Sequence, residues 1–530
     1  MLLDTPANRR AIRAIIWILQ SHGVFCLAYT IWVLAAKTWQ PLSFGKDPFL
    51  NNWTLWCIWF PEAFFYLYFL GYARYIQCEA VHPPKRTREE RLALFSKVRS
   101  EIYDPVSFLS GWFRGSRIED IGRKEMERFV DWAFWDGRAS EAGEEGDAAE
   151  IEEYIQKIEK MMPGPFPEGD GRAKSLRLTL DPIEIEARSL FWYGLIMLAD
   201  TIALGLLMAK DFEYYRRSIR DVASVFPPRP AAFCTRNVSS VPDYSYFLRK
   251  HTSKTRLPIV YIHGIGIGLL PHIGFLEEVH NALNAGAGKD DQVGILAIEV
   301  LQVSFRLTSS MPRRAEFLSQ MTTMIDQHFG TGRFVLAAHS YGSVLSTHIM
   351  NDAQLSLRIS GTLLVDPVSI LLHMPDVAYN FTVRTPVRAN EWELWYFASK
   401  DPQIAHTLGR HFFWSESVLW RDQIDHLVEN HNMRLTASLS SDDLIVNTKA
   451  VRSYLTDGDL PEPVVVEDIT GQKQMQLQTH TKDYQQQNSK WRGAGVEVLW
   501  WPGYDHAGVF DKQEDRAKLV DVLVEYVKEQ

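Results

Sequence analysis

An α/β fold, with a mainly parallel sheet covered by helices on both faces, is what the C-terminal part of this 530-residue sequence predicts. Three observations carry that prediction. From Leu257 onward, short apolar runs rich in β-branched residues alternate with amphipathic stretches, the pattern of strands joined by crossover helices. Phe334 to Ala338 is one such run; it breaks at His339-Ser340-Tyr341-Gly342 and passes directly into a helical pattern. Leu257 to Ile262 is another, and it ends in the glycine-rich turn His263-Gly-Ile-Gly-Ile-Gly268.

Taken in order, strands are expected at Ile259–Ile262, Gly294–Ile298, Phe334–Ala338, Thr362–Val365, Arg434–Ser438 and Val496–Trp500. Helices are expected at Ile273–Asn284, Arg313–Phe329, Tyr341–Asp352, Asn447–Leu455 and Lys512–Lys528. Two insertions interrupt the alternation. Residues 367–432 are rich in Trp, Phe and His, and residues 458–493, with the Gln-rich stretch Gln472 to Gln487, read as an exposed excursion.

Ala338 and Gly342 flank Ser340 two residues either side, where a bulky side chain would clash with a serine raised on a sharp strand-to-helix turn. The first of these positions is more often glycine. The turn after Ile262 is not a phosphate loop, because no Gly-Lys-Ser/Thr follows, and Gly264, Gly266 and Gly268 lack dinucleotide spacing. Downstream stand Ser440-Ser-Asp-Asp-Leu-Ile-Val-Asn447 and Leu499-Trp-Trp-Pro-Gly-Tyr-Asp-His-Ala-Gly508, so serine, acid and histidine occur in that order.

On these motifs the chain from Leu257 to its C-terminus resembles the α/β-hydrolase superfamily, over about half its length. The resemblance implies Ser340 as nucleophile, His506 as base, and the backbone amides of Ile265 and Tyr341 as the oxyanion hole. It places the acid at Asp443, with Asp442 beside it and Asp366 at the end of the preceding strand as alternatives. It makes residues 367–432 a lid and calls for no metal and no organic cofactor. His339, next to the nucleophile, reads as a packing residue, and His406 and His411 lack metal-type spacing.

The N-terminal 83 residues read as a membrane anchor. Residues 14–36 and 53–75 are each long and apolar enough to span a bilayer, although Pro61 and Glu62 interrupt the second. Arg9, Arg10 and Arg13 precede the first span, and Arg74, Lys85, Arg86, Arg88 and Arg91 follow the second, or lie at its end. A hairpin with both ends on the cytosolic side follows. Residues 84–229 form a helical and linker region, in which 117–135 carries a helical stripe and 140–150 reads as a solvated acidic linker. Residues 190–209 are a third apolar run; Asp200 within it favours a helix packed against the catalytic domain (residues 230–530) over a third span.

A hydrophobic fraction of 46% and an aromatic fraction of 12% argue against disorder, and a net charge of −9 gives no reason to expect nucleic acid. The function expected is a multi-pass membrane serine hydrolase that cleaves an ester or other acyl bond of a hydrophobic, lipid-like substrate. An acyltransferase on the same fold and a non-catalytic membrane scaffold are the alternatives.

Overall fold

The computed structural model describes residues 2–39, 52–139, 145–456, 493 and 495–528, together with two short strands between 463 and 477. The strands are β1 (Glu213–Tyr215), β2 (Ser245–Arg249), β3 (Ile259–Ile262), β4 (Ile295–Glu299), β5 (Phe334–His339), β6 (Ile359–Val365), β7 (Arg434–Ser440), β8 (Pro463–Glu467), β9 (Lys473–Leu477) and β10 (Val496–Trp501). Eight of them form one sheet in the order β1-β2-β4-β3-β5-β6-β7-β10. From β4 to β10 all pairings are parallel; β1 and β2 close one edge antiparallel. β8 and β9 pair with each other.

The sheet is buried on both faces because its strands offer apolar side chains to both, as parallel strands under crossover helices must. Val260, Ile262, Leu296, Ile298 and Leu336 face one core, completed by Phe317, Met321 and Met324 of the helix Arg314–Phe329 and Val344 and Leu345 of the helix Gly342–Met350. Their neighbours Ile259, Tyr261, Ile295, Ala297 and Val335 face the other, against Phe275 and Val279 of Ile273–Asn284 and Leu519 and Leu523 of Gln513–Tyr526. This period-2 division places the turns after β3, β5, β6, β7 and β10 at one end of the sheet.

Every expected core strand and helix from Ile259 onward forms, with ends shifted by a few residues at most. The antiparallel edge strands β1 and β2 are additions to the sequence reading. The stretch 117–135 resolves into a short turn at Ile118–Asp120 and the helix Arg123–Trp135. The acidic stretch 140–150 is corrected: residues 140–144 lie outside the described part, and the helix Glu145–Glu159 begins directly after them. Arg91 supplies the reason, binding Asp147 at 3.1 Å and Glu150 at 2.6 Å and so neutralising carboxylates that also favour a helix N-terminus. Of the 458–493 excursion, only the β8–β9 backbone and Gly493 are described.

The helices Arg88–Glu101, Pro105–Trp112, Arg123–Trp135 and Glu145–Glu159 enclose an aromatic core of Phe95, Trp112, Phe129, Trp132 and Tyr154. Phe95 stacks on Tyr154 at 4.3 Å. This body docks on the insertion between β6 and β7: Trp112 Nε1 donates to the His373 carbonyl at 3.2 Å, and Gly111 lies so close to Pro375 that a β-carbon would come within 2.4 Å of its ring.

Two described helices, Pro6–Trp39 and Leu190–Ala209, are long and apolar enough to cross a membrane. Trp53–Tyr75 forms one 23-residue helix through Pro61 and lies along Pro6–Trp39, with Trp59 edge-on to Tyr29 at 4.4 Å and to Phe25 at 5.2 Å. Glu62, an interruption in sequence, joins three helices: its carboxylate accepts the N–H groups of Leu190 and Phe191, each at 2.9 Å, and lies 3.4 Å from His22 Nε2. Asp200 turns toward the domain that carries the sheet, where Arg229 binds it at 2.8 and 3.0 Å and Arg306 at 2.7 Å; Arg229 also holds Glu299 at 2.8 Å. Leu190–Ala209 therefore packs one face on the sheet domain, through Ala203, Leu204 and Leu207, and exposes Phe191, Leu195, Leu198 and Ile202 on another.

Candidate active site

Ser340 sits where β5 turns into the helix Gly342–Met350, with φ of 52°, a left-handed conformation that costs a side-chain-bearing residue energy. The backbone holds it there: Ser340 N–H donates to Val365 at 2.9 Å, and Ser343 N–H to Ser340 at 2.8 Å. Close approach explains the glycines around it. A β-carbon on Gly342 would meet the Ile262 carbonyl at 2.4 Å, and one on Gly264 would meet Ser340 Cβ at 2.6 Å. Ala338, the unusual residue of the turn, has its methyl group packed in the core beside Ile262 and Leu336, so a glycine is not needed there.

His506 lies in the loop after β10. Its Nε2 is 2.8 Å from Ser340 Oγ, and its Nδ1 is 2.7 Å from Asp443 Oδ2. The other oxygen of Asp443 accepts the Ile445 and Val446 N–H groups at 2.7 and 2.9 Å, so the carboxylate is oriented by its own turn. Asp442 is exposed and accepts from Ser441 Oγ at 3.1 Å. Asp366 is fully buried and serves as a brace: it accepts Ser440 N–H at 2.9 Å, Ser440 Oγ at 3.1 Å and Ala507 N–H at 2.8 Å, tying β7 to the histidine loop. Asp505 caps the same loop, accepting the N–H groups of His506 at 2.7 Å and Leu444 at 3.1 Å.

The electrostatics follow from this enclosure. Burial opposes charge on His506, but Asp443, with Asp366 and Asp505 behind it, outweighs burial and raises the imidazole to about 9. Burial and the Asp443 charge raise Asp366 to about 6. His339 is buried between the His272 and His506 rings, at 5.1 and 5.4 Å, and is held neutral by burial and by those neighbours. Ligand atoms of Asp366, Asp443 and His506 lie within 4.8 Å of one another, as a cation would need. Both ring nitrogens of His506 are committed elsewhere, however, and the carboxylates already accept N–H groups, so this is not a metal-type donor set.

The two expected oxyanion donors border the serine. Among the described residues, neither Ile265 N–H nor Tyr341 N–H has an intramolecular acceptor. His263 shapes that turn: its Nδ1 donates to the Gly264 carbonyl at 2.7 Å and its Nε2 accepts Val300 N–H at 3.0 Å. Ile265, Ser340 and Tyr341 open onto a cavity of about 800 Å³ whose walls are almost wholly apolar. The 367–432 insertion supplies Phe381, Phe412, Phe413 and Trp414 to it; Trp112, Trp132 and Leu178 come from the preceding helical region. Trp392, Trp395, Tyr396 and Phe397 of the same insertion face away, toward Ile12, Ile16 and Leu19 of the first helix.

A hydroxyl hydrogen-bonded to an imidazole, itself bonded to a buried carboxylate, can give up its proton as it attacks, and two free amides nearby can stabilise an oxyanion. The helical roof and the Asp366 brace are what sequence reading missed. The tryptophans of Ser107-Phe-Leu-Ser-Gly-Trp-Phe113 and Phe129-Val-Asp-Trp-Ala-Phe-Trp135 were the available signal for the first.

No family model matches the chain, and no curated protein does. Among solved structures the chain is similar to a carboxylesterase of the thaumarchaeon Nitrososphaera gargenis, at 12% identity over 55% of this chain and 98% of that one, with a TM-score of 0.33. A carboxylesterase from Bacillus subtilis aligns at 10% identity over 62% and 98%, TM-score 0.31. A monoacylglycerol lipase of Paleococcus ferrophilus aligns at 11% over 53% and 99%, TM-score 0.31. With its parallel sheet, its serine on the turn after β5, and its acid and histidine on the turns after β7 and β10, the C-terminal half of this chain has the α/β-hydrolase fold.

Proposed function

We propose that this protein is a membrane-associated serine hydrolase that cleaves an ester or other acyl bond of a hydrophobic, lipid-like substrate through an acyl-enzyme. The reading rests on one observation: the hydrogen-bonded series Asp443–His506–Ser340 ends at the wall of an apolar cavity, beside the unengaged amides of Ile265 and Tyr341. Ser340 Oγ attacks the carbonyl carbon as its proton passes to His506 Nε2, and the oxyanion is held by the two amides. The imidazolium, stabilised by Asp443, returns the proton to the leaving alkoxide, which departs as the alcohol and leaves acyl-Ser340. Water then attacks the acyl carbon, giving its proton to His506, and the carboxylic acid leaves as Ser340 regains a proton.

Membrane association is supported by the apolar side chains that Pro6–Trp39, Trp53–Tyr75 and Leu190–Ala209 leave exposed, among them Trp17, Phe25, Trp32, Phe64 and Phe191. The basic residues flanking the apolar stretches 14–36 and 53–75, Arg9, Arg10 and Arg13 before the first and Lys85, Arg86, Arg88 and Arg91 after the second, support a cytosolic catalytic domain. The ties from Asp200 to Arg229 and Arg306 support a third helix lying against that domain. The test combines a fluorophosphonate probe, an ester panel and carbonate extraction. Wild-type protein is expected in the carbonate pellet, labelled and active; Ser340→Ala should be pelleted, unlabelled and inactive. Ester turnover by Ser340→Ala at near the wild-type rate sinks the nucleophile assignment, and release by carbonate sinks the membrane one.

A further inference from the structure

Beyond Trp112, Trp132 and Trp414 the cavity at Ser340 has a neighbour. A second apolar cavity, of about 630 Å³, lies inside the helical body of residues 88–162, and these three indoles are on the walls of both. Val98 and Phe95 of the helix Arg88–Glu101, Leu109 of Pro105–Trp112, and Ile158 of Glu145–Glu159 line the second chamber alone. We propose that this chamber is the distal half of the substrate site: it receives the far end of a long aliphatic acyl chain whose carbonyl lies at Ser340, with the three tryptophans forming the passage between the chambers. The proposal rests on the reading of Ser340 as the acylated nucleophile.

Three features carry it. The partition is made of side chains: Trp112 Nε1 donates to the His373 carbonyl at 3.2 Å, Trp132 Nε1 to Thr179 Oγ1 at 3.0 Å, and the two rings lie 5.3 Å apart. Trp112 and Trp132, their polar edges already bonded, present hydrocarbon faces to the passage, which suits a polymethylene chain. The chamber walls match. Apart from the exposed Arg99, its polar side chain is His373, which burial lowers to about 3 and so keeps neutral, stacked on Trp420 at 4.7 Å. Finally, this space is lined by hydrocarbon and bounded by the same three indoles that wall the cavity at the serine.

Filling the far chamber should therefore shorten the accepted chain. Full-length protein in detergent is assayed for kcat/KM on p-nitrophenyl esters from butanoyl to octadecanoyl, as wild type and as Val98→Phe and Ile158→Phe, which sit on different helices. The ratio of hexadecanoyl to butanoyl kcat/KM is expected to fall about tenfold or more in each filled variant, the scale on which a pocket rejects surplus methylenes. An unchanged ratio in variants that retain the wild-type melting temperature overturns the proposal. Should both variants fold poorly, the wild type still decides: labelling by a series of alkyl fluorophosphonates should keep accelerating up to hexadecyl, whereas a plateau at short chains overturns it. Absence of any ester turnover and of any labelling at Ser340 would instead strike the nucleophile reading, which these outcomes keep separate.

Discussion

Asp443→Asn is the substitution for which the structure gives the sharpest expectation. Asp443 Oδ1 accepts two backbone N–H groups, from Ile445 and Val446, while Oδ2 faces His506 Nδ1 at 2.7 Å. An asparagine must keep its carbonyl toward the two amides; turned the other way it would set its own N–H₂ against both donors, leaving each unsatisfied at a cost of about 1–3 kcal/mol. The amide N–H₂ then points at His506 Nδ1 and forces that nitrogen to accept. The ring proton moves to Nε2, which donates to Ser340 Oγ where the reaction needs it to accept. A wrong tautomer in this arrangement lowers kcat by about 10⁴, or ~5.4 kcal/mol at ~1.36 kcal/mol per decade. The turn's own hydrogen bonds persist, so the variant should still fold, but its melting temperature at neutral pH should fall, because the wild type gains from the His506–Asp443 charge pair until pH rises through about 9. The pH profile gives an independent readout. In the wild type His506 is raised to about 9, and a general base must be neutral, so kcat/KM should climb with pH through the alkaline range. Without the Asp443 charge, burial dominates and favours the neutral ring, so the residual activity should have its rising limb at lower pH. The assays are short-chain ester hydrolysis across pH and differential scanning fluorimetry. A loss below tenfold, or a limb that stays in place, refutes the reasoning.

Asp366→Asn should act mainly on stability. It replaces one of two buried acceptor oxygens by a donor facing Ser440 or Ala507, which should destabilise the protein by about 1–3 kcal/mol and lower its melting temperature, with an activity loss well short of that of Asp443→Asn. An inactive but fully stable variant would show that Asp366 acts on His506 directly. Arg229→Leu leaves Asp200 and Glu299 buried with only part of their positive charge, so unfolding in denaturant should show a loss of at least about 3 kcal/mol. A loss below 1 kcal/mol would mean that Leu190–Ala209 does not depend on this network for its place.

The parts of the molecule legible in the sequence are those whose cause is local. Strands β3, β4 and β5 are buried on both faces, and so appear as nearly continuous apolar runs. Ser340 could be found because a strained turn constrains its immediate neighbours; Gly342 and Gly264 record contacts between that turn and the end of β3 beside it in the sheet. The carboxylate opposite His506 was harder. Asp366, Asp442 and Asp443 all end or follow strands at the same edge, and what separates them is the path of two loops, 441–446 and 502–507, that meet only in the folded chain. β1 and β2 escaped for a related reason: Tyr214 and Phe247 face a core, but their strands are short edge pieces mixed with Glu, Arg and Ser.

Glu62 and Asp200 show how distance in sequence conceals purpose. Each interrupts an apolar run, and within a window of about 19 residues each counts only as an expense in lipid. Their partners stand far along the chain: Leu190 and Phe191 for Glu62, Arg229 and Arg306 for Asp200. Paired in this way, the two carboxylates stop being interruptions and become the joints of one series, in which the Trp53–Tyr75 helix caps Leu190–Ala209 and Leu190–Ala209 is fixed to the hydrolase body. The aromatic insertion extends the same series from the other side, since Tyr396 packs on Ile12 and Ile16 while Phe412 and Trp414 wall the cavity at Ser340. The insertion therefore touches the N-terminal helix with one set of rings and walls the cavity at Ser340 with another, which links the place of that helix to the shape of the cavity.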